Sequence, residues 1–507
     1  MSDTLARRVA KGALWLIAAR WGVRLIGIAS TILLARLLRP TDYGLVGMAT
    51  LLYALVQSAG DFSLDMDLIR SGSRERERYD TVWTLEIVRG LLTAALVVLL
   101  AIPAAAILHQ PHLIGISAVI AAIAAISGFA NVGVVEFRSE FAFARECVYT
   151  LAVKLASFVV AVPLAFAWRD YRALVAGLVA SAVARVVLSF ALHPYRPRLS
   201  LARFREVFGF SKWLWFSSQL FFVRTRSDEL FVSKFVGIAA LGFYRIARTV
   251  AELPTTELIT PVLAAIFPGF SKLSGAGKTL RRGYLAVLTG GLCLMAPLAF
   301  GLMVTADLVL DLGFGRQWSA AVPLLRLLAF TGPLELLVGN AYAVFVAMGR
   351  PRLFTYTSLV NAAAFLVLLA LLVPTRGAIG AAMALVGASL VGGGLNLILA
   401  QRLVELPARD VAEALWRPVT AAASMAAFLG AFRQVVSFAP GASGEALMLA
   451  ACVALGAAIY TVVLFALWAA GGYAKGAEAT IIEFVGTRVR PRFPALMRLA
   501  AGRRGGR

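Results

Sequence analysis

The stretch that decides the fold class is the uncharged, apolar run LLTAALVVLLAIPAAAIL at Leu91–Leu108. About 20 apolar residues in a helix cross the hydrocarbon core of a bilayer, and this run completes a predicted span at residues 83–108. Similar runs recur along the whole chain, which is 60% hydrophobic and only 15% charged, with a mean hydropathy of +0.82. Soluble domains carry about a quarter charged residues. The sequence therefore predicts an all-α integral membrane protein.

The predicted spans number about fourteen, with apolar length as the criterion and Pro, Gly or charged residues at many of the breaks. Pro103, Pro163, Pro261 and Pro297 lie inside apolar segments and are candidate kinks. The predicted spans are residues 11–35, 43–62, 83–108, 113–135, 147–168, 172–193, 212–233, 239–268, 284–306, 319–348, 353–373, 378–401, 417–438 and 443–470.

The distribution of Lys and Arg predicts the orientation of these spans. If the N-terminus is placed in the cytoplasm, the cytoplasmic connections and termini hold 31 of the 49 basic residues and the outer connections hold 7. This bias predicts that both termini are cytoplasmic. It also supports an even number of spans.

The net charge of +22 raises the question of nucleic acid binding, but the basic residues punctuate membrane spans. Anionic membrane lipids are the expected counter-charge, and no nucleic acid partner is predicted. The basic tail at residues 472–507 is predicted to be cytoplasmic, with an amphipathic segment at the membrane surface.

Cys147, Cys293 and Cys452 have neither metal-ligand nor disulfide spacing and are interpreted as packing residues. No metal, cofactor or catalytic constellation is predicted, which argues against an enzyme.

A shift of 200 residues aligns the first span with the seventh. Leu14-Trp15 meets Leu214-Trp215, Val23-Arg24 meets Val223-Arg224 and, after a two-residue slip, Gly44 meets Gly242. Six spans per repeat predict two parallel lobes related by a pseudo-two-fold axis along the membrane normal, with a central cavity. The predicted regions are an N-terminal lobe at 1–210, a C-terminal lobe at 211–402, two additional spans at 403–471 and the basic tail.

Charged residues within spans are costly, so they need partners or a water-filled cavity. Clustered arginines in spans 1, 7 and 8 predict a cationic cavity suited to a phosphate-bearing substrate. The candidate substrate-binding residues are Arg20, Arg24, Arg224, Arg245 and Arg248. The candidates for ion coupling are Asp228 and Glu252.

The alternative interpretation of these charges is that they form salt bridges between helices. Glu86 and Arg89 have the spacing of a local ion pair, which is the interpretation favoured for them. Lys154, Arg185 and Arg433 are isolated in the sequence and are interpreted as structural.

Short motifs along most of the chain up to about residue 400 give it a family resemblance. The chain resembles bacterial polysaccharide flippases of the Wzx type, in the multidrug/oligosaccharidyl-lipid/polysaccharide exporter superfamily. The motifs are Leu34–Gly44, Asp67–Arg70, Thr81–Trp83, Asp228–Phe235, Gly242–Tyr244, Glu252–Pro254, Phe267–Ser271, Gly315–Trp318, Met348–Arg350 and Gly377–Ala382.

This resemblance implies two helical lobes flanking a cavity and transport of an oligosaccharide linked to undecaprenyl diphosphate across the bacterial inner membrane. Exopolysaccharide, O-antigen and capsule pathways are all compatible, with a polysaccharide polymerase and chain-length proteins as implied partners. Arg224 and Arg226 precede the acidic position of span 7, a departure from the family pattern that bears on ion coupling. The alternatives are a lipid II flippase, a multidrug antiporter of the same superfamily and a non-transporting membrane scaffold. A cavity rich in Arg argues against cationic drugs as substrates. A long soluble domain would favour the scaffold, and none is visible in the sequence.

Overall fold

The structure, a computed structural model, is helical almost throughout the residues it describes, and no strand occurs among them. The described residues are 2–60, 68, 75–139, 142–204, 219, 222–223, 225–261, 263, 277–436, 438 and 441–470. The predicted tail at 472–507 lies outside them.

The first six predicted spans are confirmed as helices. The fourth helix ends at Gly128, earlier than predicted, because Val132–Val135 forms a short 3-10 turn. The Asn131 side chain caps that turn by accepting a hydrogen bond from the amide of Gly133 at 2.9 Å. The helices are α1 Ser2–Leu37, α2 Pro40–Gly60, α3 Arg76–Leu108, α4 His112–Gly128, α5 Phe143–Trp168 and α6 Arg172–Leu192.

The described parts of the later predicted spans also coincide with helices, and parts of spans 7, 8 and 13 lie outside the described residues. The span at 319–348 is interrupted, with a 3-10 turn at Arg316–Ala321 and a short helix at Val322–Leu328 before its main helix. The later helices are α7 at residues 225–235, α8 Ile238–Pro254, α9 Gly277–Gly313, α10 Thr331–Ala347, α11 and α12 within Arg352–Leu403, α13 Ala408–Val435 and α14 Ala442–Ala470.

The break between α11 and α12 lies at Gly377, where φ is 61° and ψ is −141°. Only glycine adopts this backbone conformation readily, since it lacks the Cβ atom that would clash. The predicted spans 353–373 and 378–401 place the break at 374–377, which contains Gly377, whereas Pro374 is accommodated within the helix.

Several helices are long and apolar enough to cross a membrane. Eight helices among the described residues meet that standard when Arg352–Leu403, which contains α11 and α12, is taken as one helix. Large apolar side chains on α3 face outward, with Leu99 62% and Leu92 59% exposed. An outward-facing apolar surface on this scale requires lipid around it. The chain is a multi-pass membrane protein.

The chain forms two compact units. The first comprises Met1–Ala247, Gly313–Leu324 and Ala362–Leu385. The second comprises Arg248–Leu312, Leu325–Asn361 and Val386–Arg507. Each unit is a set of residues that pack mainly against one another. The lobe boundaries predicted from the repeat, at residues 210 and 402, stay predictions.

In the first unit, α2 and α8 cross at two glycines that the internal repeat makes equivalent. A Cβ atom on Gly44 would lie 1.9 Å from the carbonyl oxygen of Ile238, and one on Gly242 would lie 2.0 Å from that of Pro40. No other residue allows this backbone approach. Contact between equivalent positions is the geometry expected near a two-fold axis, so the crossing supports the predicted repeat.

Trp318 joins the end of α1 to this crossing. Its indole is fully buried and donates a hydrogen bond from Nε1 to the carbonyl oxygen of Ala35 at 2.8 Å. The rings of Tyr43 and Phe243 meet it edge-on, with centroid distances of 5.3 and 5.8 Å. Three motifs that are distant in sequence therefore meet at one end of the first unit.

The segment after α6 is fastened to the start of α3. Asp80 accepts hydrogen bonds from the Tyr195 hydroxyl at 2.6 Å and from the amide of Arg198 at 2.7 Å. Burial, together with the hydrogen bond to Asp80, raises the pKa of Tyr195. The tyrosine remains neutral and keeps donating its proton to Asp80 at physiological pH.

In the second unit, α13 and α14 both pack on α9. Arg433 of α13 forms a bidentate ion pair with Asp307 of α9, in which Nη1 lies 3.0 Å from Oδ1. Tyr460 of α14 donates a hydrogen bond to the carbonyl oxygen of Cys293 at 2.9 Å. Arg433 therefore has the structural role that the sequence predicted.

Candidate functional site

A charged cluster lies in the first unit, just beyond the glycine crossing. The side chain of Glu229 on α7 is only 2% exposed. Its Oε1 atom accepts a hydrogen bond from Nη1 of Arg226 at 2.7 Å, and its Oε2 atom lies 3.4 Å from Nε of Arg245 on α8. One buried carboxylate thus holds two guanidinium groups.

The crossing positions Arg245 within this cluster. Gly44, Gly47 and Thr50 lie three residues apart and so share one face of α2. A Cβ atom on Gly47 would lie 2.5 Å from Nη1 of Arg245, and the same nitrogen donates to the Thr50 hydroxyl at 3.0 Å. The small residues on this face make room for the guanidinium inside the unit.

Asp228 lies beside the cluster and is fully buried. Its Oδ2 atom accepts a hydrogen bond from the hydroxyl of Tyr244, also fully buried, at 2.6 Å, and its Oδ1 atom accepts one from the amide of Glu229 at 3.0 Å. A buried carboxyl group with such partners ties α7 to α8.

Arg24 on α1 approaches a second cation. Lys154 of α5 packs against α1 beside Gly27, three residues after Arg24, where a Cβ on Gly27 would lie 3.6 Å from the Cε atom of Lys154. Two cationic residues therefore lie on neighbouring helices of the first unit.

The remaining candidate residues are distributed as follows. Arg20 is exposed on α1, and Arg224 lies outside the described residues. In the second unit, Nε of Arg248 donates to Oε1 of Glu252 at 2.7 Å, a pair one turn apart on α8. The substrate-binding and coupling roles of these residues stay predictions.

Comparison with known families identifies the chain. A family model described as "Polysaccharide biosynthesis protein" matches residues 33–323, which contain the glycine crossing, Trp318 and the Glu229 cluster. The chain belongs to the polysaccharide biosynthesis protein family. The resemblance to polysaccharide flippases of the Wzx type is thereby confirmed.

Two relatives illustrate the breadth of this polysaccharide biosynthesis family. The chain is 24% identical to the lipopolysaccharide biosynthesis protein WzxC of Escherichia coli (strain K12) over 341 residues, which is 66% of this chain and 69% of WzxC. It is also 24% identical to the succinoglycan biosynthesis transport protein ExoT of Rhizobium meliloti (strain 1021), over 64% of this chain and 66% of ExoT. The matches thus span about two thirds of these relatives.

Solved structures with the same fold are transporters. The lipid II flippase MurJ in an inward closed conformation matches with a TM-score of 0.71 and 13% identity, covering 90% of this chain and 99% of MurJ. An inward-facing multidrug resistance MATE family transporter of the MOP superfamily matches with a TM-score of 0.59 and 16% identity, covering 76% and 94%. These identities establish the fold alone. The predicted fold of two helical lobes is confirmed. The non-enzymatic assignment is confirmed by the family match and its relatives, of which ExoT is named as a transport protein.

For this family member, sequence reasoning missed the partners of the predicted site residues. Glu229 was visible as one of several charges in span 7, yet nothing marked it as the residue between two arginines. Thr50 gave no signal, because an isolated hydroxyl in an apolar helix is ordinary, and its role depends on the α2–α8 crossing, which brings distant segments together. Tyr244 was noted only as part of the motif Gly242–Tyr244, and its hydrogen bond to Asp228 depends on the packing of α8 on α7.

Proposed function

We propose that this protein is a flippase that moves an oligosaccharide linked to undecaprenyl diphosphate from the inner to the outer leaflet of the bacterial inner membrane. The observation that carries the proposal is the family match over residues 33–323, on a fold shared with transporters. The product would serve exopolysaccharide, O-antigen or capsule synthesis, with a polymerase and chain-length proteins as later partners. Transport would proceed by alternating access.

The diphosphate is the part of the substrate that the arginines would recognise. A guanidinium presents a planar fork of donors that matches phosphate oxygens. Arg24 on α1 and Lys154 on α5 lie on neighbouring helices, since Lys154 packs against Gly27 of α1, and two cationic side chains there would favour an anionic ligand. Arg20, Arg224, Arg245 and Arg248 complete the proposed binding set, although Arg245 and Arg248 also have protein partners in this structure.

Asp228 and Glu252 are the proposed coupling groups. Asp228 is buried against Tyr244, and Glu252 pairs with Arg248, so protonation of either carboxylate would change how α7 or α8 is held. This supplies a physical link between a cation and the arginines. Asp228→Asn and Glu252→Gln are expected to reduce polymer export without loss of membrane insertion. Full export in both variants would contradict the coupling role.

Two alternatives share the fold. A lipid II flippase is supported by the match to MurJ, but that match has only 13% identity, whereas the family description concerns polysaccharide biosynthesis. A multidrug antiporter is disfavoured because cationic drugs would be repelled by Arg24 and Lys154.

The test uses a strain that lacks this protein and measures polymer at the cell surface. Reintroducing the intact chain should restore export, while Arg24→Ala should nearly abolish it and Arg24→Lys should leave a partial defect, since Lys keeps the charge but loses the fork. Arg409→Lys is the matched control, because that side chain is 87% exposed. Export by Arg24→Ala at the level of the intact chain would remove the proposed phosphate site.

A further inference from the structure

The first unit contains a cavity of about 630 Å³, a volume typical of small-molecule binding sites. Residues of α2 to α6, together with the segment between α4 and α5, form its walls. At one wall α3 and α4 pack closely, since a Cβ on Gly128 would lie 2.7 Å from the carbonyl oxygen of Glu86. The cavity belongs wholly to the first unit, and none of the proposed phosphate-binding residues that the structure describes lines it.

The charges around the cavity balance. Glu86 and Arg89 on α3 pair with each other, with Nε of Arg89 donating to Oε2 of Glu86 at 3.1 Å, which confirms the predicted local pair. Glu146 of α5 and Arg185 of α6 also line the cavity. Among the described residues that line it, two acids and two arginines give no net charge. A site for an anion or a cation would have an excess of one sign, so this balance favours a neutral ligand.

The remaining polar groups have the character of a sugar site. Tyr53 and Tyr149 provide aromatic rings, and the Tyr149 hydroxyl donates to the carbonyl oxygen of Arg185 at 3.3 Å. Tyr53 lines the same cavity as Glu86, Arg89 and Arg185, so these groups converge on one space. A sugar ring carries hydroxyls that both donate and accept, together with apolar C–H faces. Mixed carboxylate and guanidinium partners beside aromatic rings match both features.

The cavity also lies at the appropriate end of the helices. Glu86 and Glu146 lie near the starts of α3 and α5, while Arg185 lies near the end of α6. The bias of basic residues predicts that these ends face the cytoplasm, where a lipid-linked oligosaccharide would be loaded.

We propose that this cavity binds a neutral sugar residue of the transported oligosaccharide. The proposal rests on the proposed function for the identity of the ligand. It divides recognition between two places, with the sugar inside the first unit and the diphosphate at the arginines.

The experiment places the photo-crosslinking amino acid p-benzoylphenylalanine in the full chain within polymer-producing cells. It replaces Ser181 or Thr93, which line the cavity, or Val187, which is 58% exposed on the same helix as Ser181. After irradiation, the purified protein is stained for sugars by periodate oxidation and hydrazide coupling. Sugar should be attached at 181 or 93, should be absent at 187, and should disappear in cells that lack the first glycosyltransferase of the pathway.

Two substitutions accompany the crosslinking. Glu146→Gln and Tyr149→Phe should each reduce polymer export several-fold at equal protein level, because each removes a group facing the sugar. Absence of sugar at both cavity positions, in cells whose export depends on the chain, overturns the cavity proposal and leaves the proposed function standing. Loss of export in Glu146→Gln without any crosslinked sugar also overturns it, in favour of a coupling role for the carboxylate. Export that does not depend on the chain refutes the proposed function itself.

Discussion

Replacing Glu229 by Gln tests whether one buried carboxylate holds the arginines of α7 and α8. Gln has nearly the same shape but no charge, and its amide nitrogen would face one guanidinium as donor against donor. Its oxygen can still accept from Arg226 or Arg245, but not from both with charge assistance. We therefore expect the protein to insert normally and to be less stable.

The exposures of the three side chains set the size of the effect. Losing one partner of a fully buried ion pair costs about 3–5 kcal/mol, whereas an exposed pair contributes about 0.2–1 kcal/mol. The Glu229 side chain is 2% exposed, but those of Arg226 and Arg245 are 42% and 26% exposed, so solvent screens part of the interaction. The expected loss in the free energy of unfolding is intermediate, about 2 kcal/mol.

The assay is unfolding of the purified protein in mixed micelles, with Glu413→Gln as the matched control. Glu413 also pairs with an arginine, at 2.9 Å, but that pair is exposed and should contribute less than about 1 kcal/mol. A double-mutant cycle with Arg245→Gln should show a coupling energy of about 1 kcal/mol or more. If Glu229→Gln costs no more than Glu413→Gln, the carboxylate does not hold the cluster together.

Three further predictions concern the fold and the orientation. Gly44→Ala should lower the free energy of unfolding by about 1–3 kcal/mol or more, since the added Cβ would lie 1.9 Å from a carbonyl oxygen of α8. The control is Gly115→Ala, because a Cβ there meets no atom within 4 Å, and it should be neutral or stabilising by up to about 1 kcal/mol. Equal effects of Gly44→Ala and Gly115→Ala in thermal melting would contradict the close crossing of α2 and α8. Trp318→Ala should cost about 3–5 kcal/mol in the same assay, and a loss below about 1 kcal/mol would show that the junction is not a folding contact. A cysteine replacing Arg350 should react with a membrane-impermeant maleimide only from the cytoplasm, and one replacing Arg376 only from outside. Reversed labelling would overturn the predicted topology.

The spans were predictable because each depends only on local composition. An uncharged run such as Leu91–Leu108 partitions into a bilayer whatever its neighbours are. The boundaries were less certain where a turn replaces helix within an apolar run. After Gly128, the side chain of Asn131 stabilises a 3-10 turn, and the break before α12 lies at Gly377 because of its backbone conformation.

The site was only partly predictable. The sequence marked Arg24, Arg245 and Asp228, because a charge within a membrane span is costly and thus conspicuous. It could not assign their partners, since the contacts of Thr50 with Arg245 and of Tyr244 with Asp228 follow only from the packing.

The sequence by itself determined that this chain is a multi-span helical membrane protein with charges inside its spans, because hydropathy and charge act over a single helix at a time. Only the tertiary structure decided which of those charges meet. The approach of Gly44 to Gly242 brings Arg245 to Thr50, while the packing of α8 on α7 brings Arg245 to Glu229. The packing of α2 to α6 encloses the cavity, whose described charges balance. These contacts join residues up to about 200 positions apart, and their free energy depends on distance and burial, which a linear pattern does not contain.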